Sequence, residues 1–160
     1  MKFKKLSSVL LSVGIACSML SIGSVPAFAY SSAVSARIPG LDSSHSVESN
    51  IWMANINQFS TQSFQVSAYY HGANPGNASW IKTAWNVSAT GAGVSIGGVS
   101  GSTGGNSFSG SWTNTNAYTS SWSGTYKISG IAVTGNGSNT ASVLVSGSTA
   151  SASASVFRIY

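Results

Sequence analysis

After Ala29, the chain contains very few of the residues that favour helices. That part has two leucines, one methionine and one glutamate, whereas valine and isoleucine together occur eighteen times. Straight-chain residues lose little side-chain freedom in a helix, while β-branched and aromatic residues fit a pleated, half-buried sheet. The helix formers are too few to build an apolar helical stripe. The composition therefore predicts an all-β protein.

The polar composition raises the alternative of a disordered chain. Serine, threonine, asparagine and glycine make up more than half of the sequence after Ala29. Disordered chains, however, are poor in β-branched and aromatic residues, which here alternate with polar residues along several segments. Turn residues separate these segments at intervals of about 8–12 residues. We therefore predict one domain, a single antiparallel β-sandwich or a related barrel, with about 9–10 short strands.

One hairpin is predicted between 62–71 and 80–89, because the turn signal Pro75-Gly76 lies between these two alternating segments. A register that places Val66 opposite Trp85 makes the two apolar faces coincide. The opposite, polar face then makes Tyr69 a cross-strand neighbour of Lys82, which suits a cation–π contact. Because an exposed ring beside polar groups can stack on a sugar ring, we predict a binding surface on this face, formed by Tyr69, His71, Trp80 and Lys82.

A second hairpin is predicted from a palindrome centred on Ala117. Around this residue Trp112 mirrors Trp122, Gly110 mirrors Gly124 and Phe108 mirrors Tyr126, with serine or threonine at the positions between them. Aromatic rings that lie over cross-strand glycines compensate for the weak packing of glycine in a strand. The pattern predicts one aromatic face and one hydroxyl face, and the aromatic face can belong either to the core or to a binding surface.

The N-terminus has the form of a secretion signal. Three lysines precede an apolar run from Val9 to Gly23, and Ala27-Phe28-Ala29 has the small residues of a signal-peptidase site. We predict a signal peptide over 1–29, an N-terminal arm and loop over 30–46, and the sandwich over 47–160. The protein is then a secreted bacterial protein, extracellular or associated with the cell surface. Its only cysteine, Cys17, lies in the signal, so the secreted form has no disulfide.

Charge and hydropathy exclude two classes of partner. After Ala29 the four cations are not clustered, whereas nucleic-acid binding depends on grouped lysine and arginine that neutralise phosphates. No second apolar run is long enough for a transmembrane helix. We therefore expect neither nucleic acid nor a membrane-spanning helix.

Residues capable of acid–base chemistry or metal ligation are scarce. Asp42, His45 and Glu48 recur at intervals of three in one polar segment, and His71 is the only other such side chain after Ala29. A metal site or a proton-transfer site is one interpretation, and a solvated loop is the other. The match of 93–97 to G-x-S-x-G lacks a predicted strand–turn–helix context. We predict no enzyme, no catalytic residue, no metal and no cofactor.

Three hypotheses for function follow. The first is a non-catalytic β domain that binds a glycan, a cell-wall polymer or a matrix polymer through surface aromatics, with self-association as a variant, since uncharged strand edges invite pairing. The second is a membrane-active toxin or bacteriocin that inserts amphipathic hairpins from the segment between Gly93 and Trp112. The third is a small hydrolase that uses Asp42, His45 and Glu48. We favour the first.

Overall fold

The computed structural model describes residues 29–54, 59–72, 76–98 and 105–160, and these residues form strands and turns without a helix. The all-β prediction is confirmed. Residues 1–28 of the predicted signal peptide lie outside this range, as do part of the turn around Pro75 and part of the segment between Gly93 and Trp112. The strands are β1 (Ala29–Arg37), β2 (Ser46–Ala54), β3 (Thr61–His71), β4 (Ala78–Gly98), β5 (Ser107–Ala117), β6 (Thr119–Val145) and β7 (Ser148–Ile159).

The seven strands form one antiparallel sheet that folds over itself. The order of paired strands is β1-β2-β3-β6-β4-β5, and β7 pairs with β6 off this path. Residues 119–127 of β6 pair with β3, whereas residues 134–145 pair with β7 and lie beside β4. β7 also contacts β1 and β2, to which it is not hydrogen-bonded, so these strands meet across the core.

The fold is therefore a sandwich of two layers joined by β4 and β6, which both continue through the bend. Layer A contains β1, β2, β3 and residues 119–127 of β6; layer B contains β5, residues 78–90 of β4, residues 134–145 of β6 and β7. The sheet is not closed, because β5 and the first part of β6 have no ladder between them in the part of the chain that the structure describes. We call this gap the open side.

The strands are fewer and longer than predicted, since β4 has 21 residues and β6 has 27. The sequence from Gly135 to Ser138 suggests a turn but lies inside β6. A Cβ at Gly137 would lie 2.1 Å from the Met53 sulfur, so this glycine makes room for a core side chain instead of bending the chain. The bend between layers occurs earlier in β6, opposite bulges of β4 at 90–91 and 92–95. There Gly130 has φ +89° and its Cα approaches the backbone of Gly93 too closely for any side chain.

The predicted hairpin of β3 with β4 is wrong. These strands are not paired with each other, and both pair with β6. Their apolar faces nevertheless meet, since the rings of Phe64 and Trp85 lie 6.2 Å apart in the core. Two strands with matching apolar faces can pair side by side or face each other across a core, and here they face each other.

The palindromic hairpin is also wrong as a pairing. Gly110 lies opposite Trp85 of β4, and Gly124 lies opposite Phe64 of β3. A Cβ at Gly110 would lie 2.4 Å from the Trp85 ring, and one at Gly124 would lie 2.8 Å from the Phe64 ring. The principle behind the prediction, a ring over a cross-strand glycine, is thus confirmed with different partners.

A buried polar group links the two layers. The Asn139 side chain of β6 donates hydrogen bonds to the main-chain oxygens of Asn50 (3.0 Å) and Ser67 (2.9 Å) in layer A and accepts one from Thr83 Oγ1 (2.6 Å) in layer B. Asn139 and Thr83 are fully buried. This group separates two apolar clusters, one around Phe64 and Trp85 and one around Tyr70, Ile81 and Val143. No helix of the described residues is long and apolar enough to span a membrane.

Candidate functional site

The four residues predicted to form a binding surface lie on two different faces. Tyr69 and His71 alternate with the buried Ala68 and Tyr70, so they face outwards from layer A. Trp80 and Lys82 flank the buried Ile81 and face outwards from layer B, where Lys82 lies beside Thr113 and Ser142. The predicted juxtaposition of Tyr69 with Lys82 is therefore wrong, because the two strands are not neighbours.

Tyr69 and His71 belong to a small polar cluster on layer A. The Nε2 atom of His71 lies 3.0 Å from Glu48 Oε2, and Asn50 Nδ2 donates a 2.8 Å hydrogen bond to Glu48 Oε1. Tyr69 lies directly opposite Glu48 in the register, and its ring is 6.4 Å from that of His71. The carboxylate thus orients two planar side chains beside a partly exposed aromatic ring. Sequence spacing alone misses Asn50, whose position beside Glu48 follows from strand alternation.

The second acidic residue forms its own pair in the loop before β2. Asp42 Oδ1 lies 2.9 Å from His45 Nδ1 and accepts a 2.8 Å hydrogen bond from the Ser44 main-chain nitrogen. Hydrogen bonds from the Ser44 hydroxyl and from His45 lower the pKa of Asp42 to about 2. Burial, followed by the nearby Asp42 charge, raises the pKa of Tyr70, whose ring contacts His45. The exposed carboxylate fixes the turn that leads into β2.

The two pairs do not combine into a larger cluster. Among the described residues, no three acidic, histidine or cysteine side chains lie close enough together to hold a metal ion. Asp42 contacts His45 while Glu48 contacts His71, so the two carboxylates have different partners. The residues of the G-x-S-x-G match lie within β4, not at a strand–turn–helix elbow.

The most distinctive aromatic feature is a stack of three tryptophans at the open side. Trp85 is buried in the core, Trp122 packs on it with the ring centroids 5.5 Å apart and the planes 13° apart, and Trp112 lies 5.5 Å from Trp122. The outermost ring, Trp112, is 48% exposed. The tryptophans therefore form a continuous path from the core to solvent, which we call the tryptophan stack.

The tryptophan stack divides the predicted aromatic face into two parts. Phe108 and Tyr126 are buried, while Trp122 is half-buried and Trp112 is exposed. All four lie on the inner side of their strands, but the open side leaves the outer end of that face uncovered. The face is therefore core at one end and surface at the other.

Local hydrogen bonds hold the exposed ring in place. Trp112 Nε1 donates to Asn114 Oδ1 (3.0 Å), and Asn114 Nδ2 donates to the Thr119 main-chain oxygen (2.9 Å). The Ser120 hydroxyl donates to the Trp112 main-chain oxygen (2.9 Å), so side chains join β5 to β6 where no ladder does. A ring that is already fixed loses little conformational entropy when a ligand stacks on it.

The outer face of layer B is an array of hydroxyl groups. Cross-strand serine and threonine side chains bond to each other there, at 3.0 Å between Thr140 and Ser153 and at 2.9 Å between Ser142 and Ser151. These hydroxyls satisfy one another, and among the described residues Lys82 is the cation of this face, two positions from Trp80 on the same strand. It offers polar surface without a fixed aromatic platform as large as the tryptophan stack.

No family model matches this chain, and the comparisons with curated proteins and with solved structures find no match either.

Proposed function

We propose that the protein is a secreted, non-catalytic domain that binds a polysaccharide, such as a cell-wall or matrix polymer, through surface aromatics. The observation that carries this proposal is the tryptophan stack, whose outer ring is 48% exposed and held by Asn114. Trp112 is the primary platform. Tyr69, with its oriented polar neighbours on layer A, is a second and separate contact.

The chemistry of the stack supports a saccharide ligand. A sugar ring has an apolar face of C–H groups and a rim of hydroxyls, so it suits a flat aromatic ring surrounded by uncharged hydrogen-bonding groups. The polar side chain beside the Trp112 ring on the same face of β5 is Asn114, which supplies an amide and no charge. Anchor residues of this kind contribute most of the affinity when they are rigid and backed by packed side chains, as Trp112 is by Trp122.

Binding to insoluble polysaccharides tests the proposal. The purified protein is incubated with peptidoglycan, chitin and cellulose, and the depletion isotherms are compared for wild type, Trp112→Ala and Tyr118→Ala. Tyr118 is the matched control, since it is 53% exposed but lies outside the tryptophan stack. We expect Trp112→Ala to weaken binding to the preferred polymer by about tenfold or more, which corresponds to about 1.4 kcal/mol.

Stability measurements separate a lost contact from a lost fold. The midpoint of urea unfolding of Trp112→Ala should stay close to that of wild type, since half of the ring is already in solvent, and Trp112→Phe should restore part of the binding. The proposal is wrong if wild type binds none of the three polymers, or if Trp112→Ala binds as tightly as wild type and the Tyr118→Ala control do.

A further inference from the structure

Exposed apolar side chains are concentrated at one end of the sandwich. Five of them, which we call the apolar end, are between 54% and 70% exposed: Phe59, Ile131, Val133, Phe157 and Ile159. Single exposed apolar residues are common on protein surfaces, but a contiguous group commonly marks an interaction site.

The pairing of β6 with β7 places Ile131 and Val133 beside the end of β7 that carries Phe157 and Ile159. Ile159 of β7 lies opposite Thr134, next to Val133 on β6, and Tyr160 donates its main-chain N–H to the Val133 oxygen. The Phe59 main-chain nitrogen donates a 2.7 Å hydrogen bond to the Ile128 oxygen, which brings the start of β3 to the same bend. Phe59 has φ +65°, a conformation that bulky residues rarely adopt, and its ring is exposed.

The charges of the protein divide between its two ends. Lys127, opposite Thr61 at the start of β3, and Arg158, opposite Gly135, lie at the apolar end. The whole sequence has only two acidic residues, and both Asp42 and Glu48 lie at the opposite end, near the end of β1 and the start of β2. The apolar end therefore carries positive charge with no acidic residue nearby.

We propose that the apolar end docks on the surface of a lipid bilayer that contains anionic phospholipids. Side chains such as isoleucine and phenylalanine enter the boundary between headgroups and acyl chains, while nearby cations contact anionic headgroups. The Arg158 guanidinium already lies 4.9 Å from the centre of the Tyr160 ring, an amphipathic pair suited to that boundary. A second copy of this chain fits less well, because two apolar ends in contact would bring the Lys127 side chains of both copies towards each other.

Vesicle co-sedimentation tests this docking. The chain is used as the cells release it, with the same N-terminus in every variant, and is mixed with vesicles of phosphatidylcholine alone or of phosphatidylcholine and phosphatidylglycerol in equal parts. Ile131→Thr/Ile159→Thr removes apolar surface from the apolar end and keeps β-branched side chains in both strands. The matched control is Val34→Thr/Tyr118→Thr, which changes two exposed residues elsewhere on the protein.

We expect wild type to bind the mixed vesicles more strongly than the neutral ones. Ile131→Thr/Ile159→Thr should weaken that binding about tenfold or more, and the control pair should stay within about twofold of wild type. Lys127→Gln should lower binding to the mixed vesicles about fivefold and leave the neutral vesicles unaffected. Trp112→Ala should bind vesicles as wild type does, so this proposal and the polysaccharide proposal can fail independently.

Three outcomes would overturn the inference. The first is equal binding of wild type to the mixed and the neutral vesicles, and the second is an equal loss of binding in both double variants. The third is a dimer, detected by sedimentation velocity, that Ile131→Thr/Ile159→Thr abolishes, since a second copy would then occupy the apolar end.

Discussion

The buried side chain of Asn139 should contribute more to stability than any single apolar contact around it. Its amide nitrogen donates to Ser49 Oγ (3.1 Å) and to the oxygens of Asn50 and Ser67, and its oxygen accepts from Thr83 Oγ1 (2.6 Å). An amide nitrogen has only two hydrogens, so three acceptors share them. These bonds tie β6 and β4 of layer B to β2 and β3 of layer A.

Asn139→Leu removes these hydrogen bonds and keeps the branching at Cγ, so it leaves no cavity at this buried position. The change leaves the Thr83 hydroxyl and two main-chain oxygens without their Asn139 partner, whereas Ser49 keeps its 2.8 Å bond to the Asn139 main-chain oxygen. A buried hydroxyl left without its acceptor costs about 1–3 kcal/mol, and each lost hydrogen bond to a main-chain oxygen costs about 1 kcal/mol, so we expect the free energy of unfolding to fall by about 3–5 kcal/mol.

Urea unfolding of Asn139→Leu, Thr83→Val and the double variant measures this cost. Thr83→Val alone should cost about 1–2 kcal/mol, because it leaves the Asn139 oxygen without a donor. In the double variant neither group remains unpaired, so its cost should be lower than the sum of the single costs by about 1 kcal/mol. A cost below about 1 kcal/mol for Asn139→Leu, or additivity within about 0.5 kcal/mol, would refute the reasoning.

Three further predictions concern packing, charge and processing. Gly110→Val should lower the free energy of unfolding by about 2–3 kcal/mol, because the new side chain meets the Trp85 ring. The control is Gly97→Val, where a side chain has open space. In the same urea experiment this variant should change the free energy of unfolding by less than about 0.5 kcal/mol. The carboxyl of Asp42 should titrate at about 2 in an NMR experiment, below its usual 3.8. Because the pKa of Asp42 is lower in the folded state than in the unfolded state, the ionised carboxylate stabilises the fold above pH 3.8, and this stabilisation is lost as the pH falls towards 2. Asp42→Asn should remove this pH dependence. An unshifted titration of Asp42 would contradict the prediction. Intact-mass spectrometry of the released protein should find cleavage after Ala29, and any other terminus would show that the predicted site is wrong.

The candidate surfaces were predictable from the sequence only in part. Alternation along β3 correctly assigns Tyr69 and His71 to the outer face, and the same alternation extended back from Val143 and Ala141 would have assigned Asn139 to the core. It could not reveal that Glu48 contacts His71, because residues 23 positions apart meet only through the pairing of β2 with β3.

The tryptophan stack shows a similar division. The sequence correctly places Trp112 on the same side of β5 as Phe108, since side chains alternate along a strand. Whether a ring on that side is buried depends on what covers it, and the open side leaves Trp112 in solvent while Phe108 is covered.

The sequence by itself determined that the protein is all-β, which side of most strands is apolar, and that glycines serve to accommodate aromatic rings. These properties depend on local preferences and on the two-residue repeat of a strand, so each can be inferred from a few neighbouring residues. Only the tertiary structure decided which strands pair, because β3, β4 and β5 present compatible apolar faces that satisfy several pairings equally well. Contacts between residues distant in the sequence select the observed pairing. Examples are Phe64 over Gly124, Met53 over Gly137, and the hydrogen bonds of Asn139 between the layers.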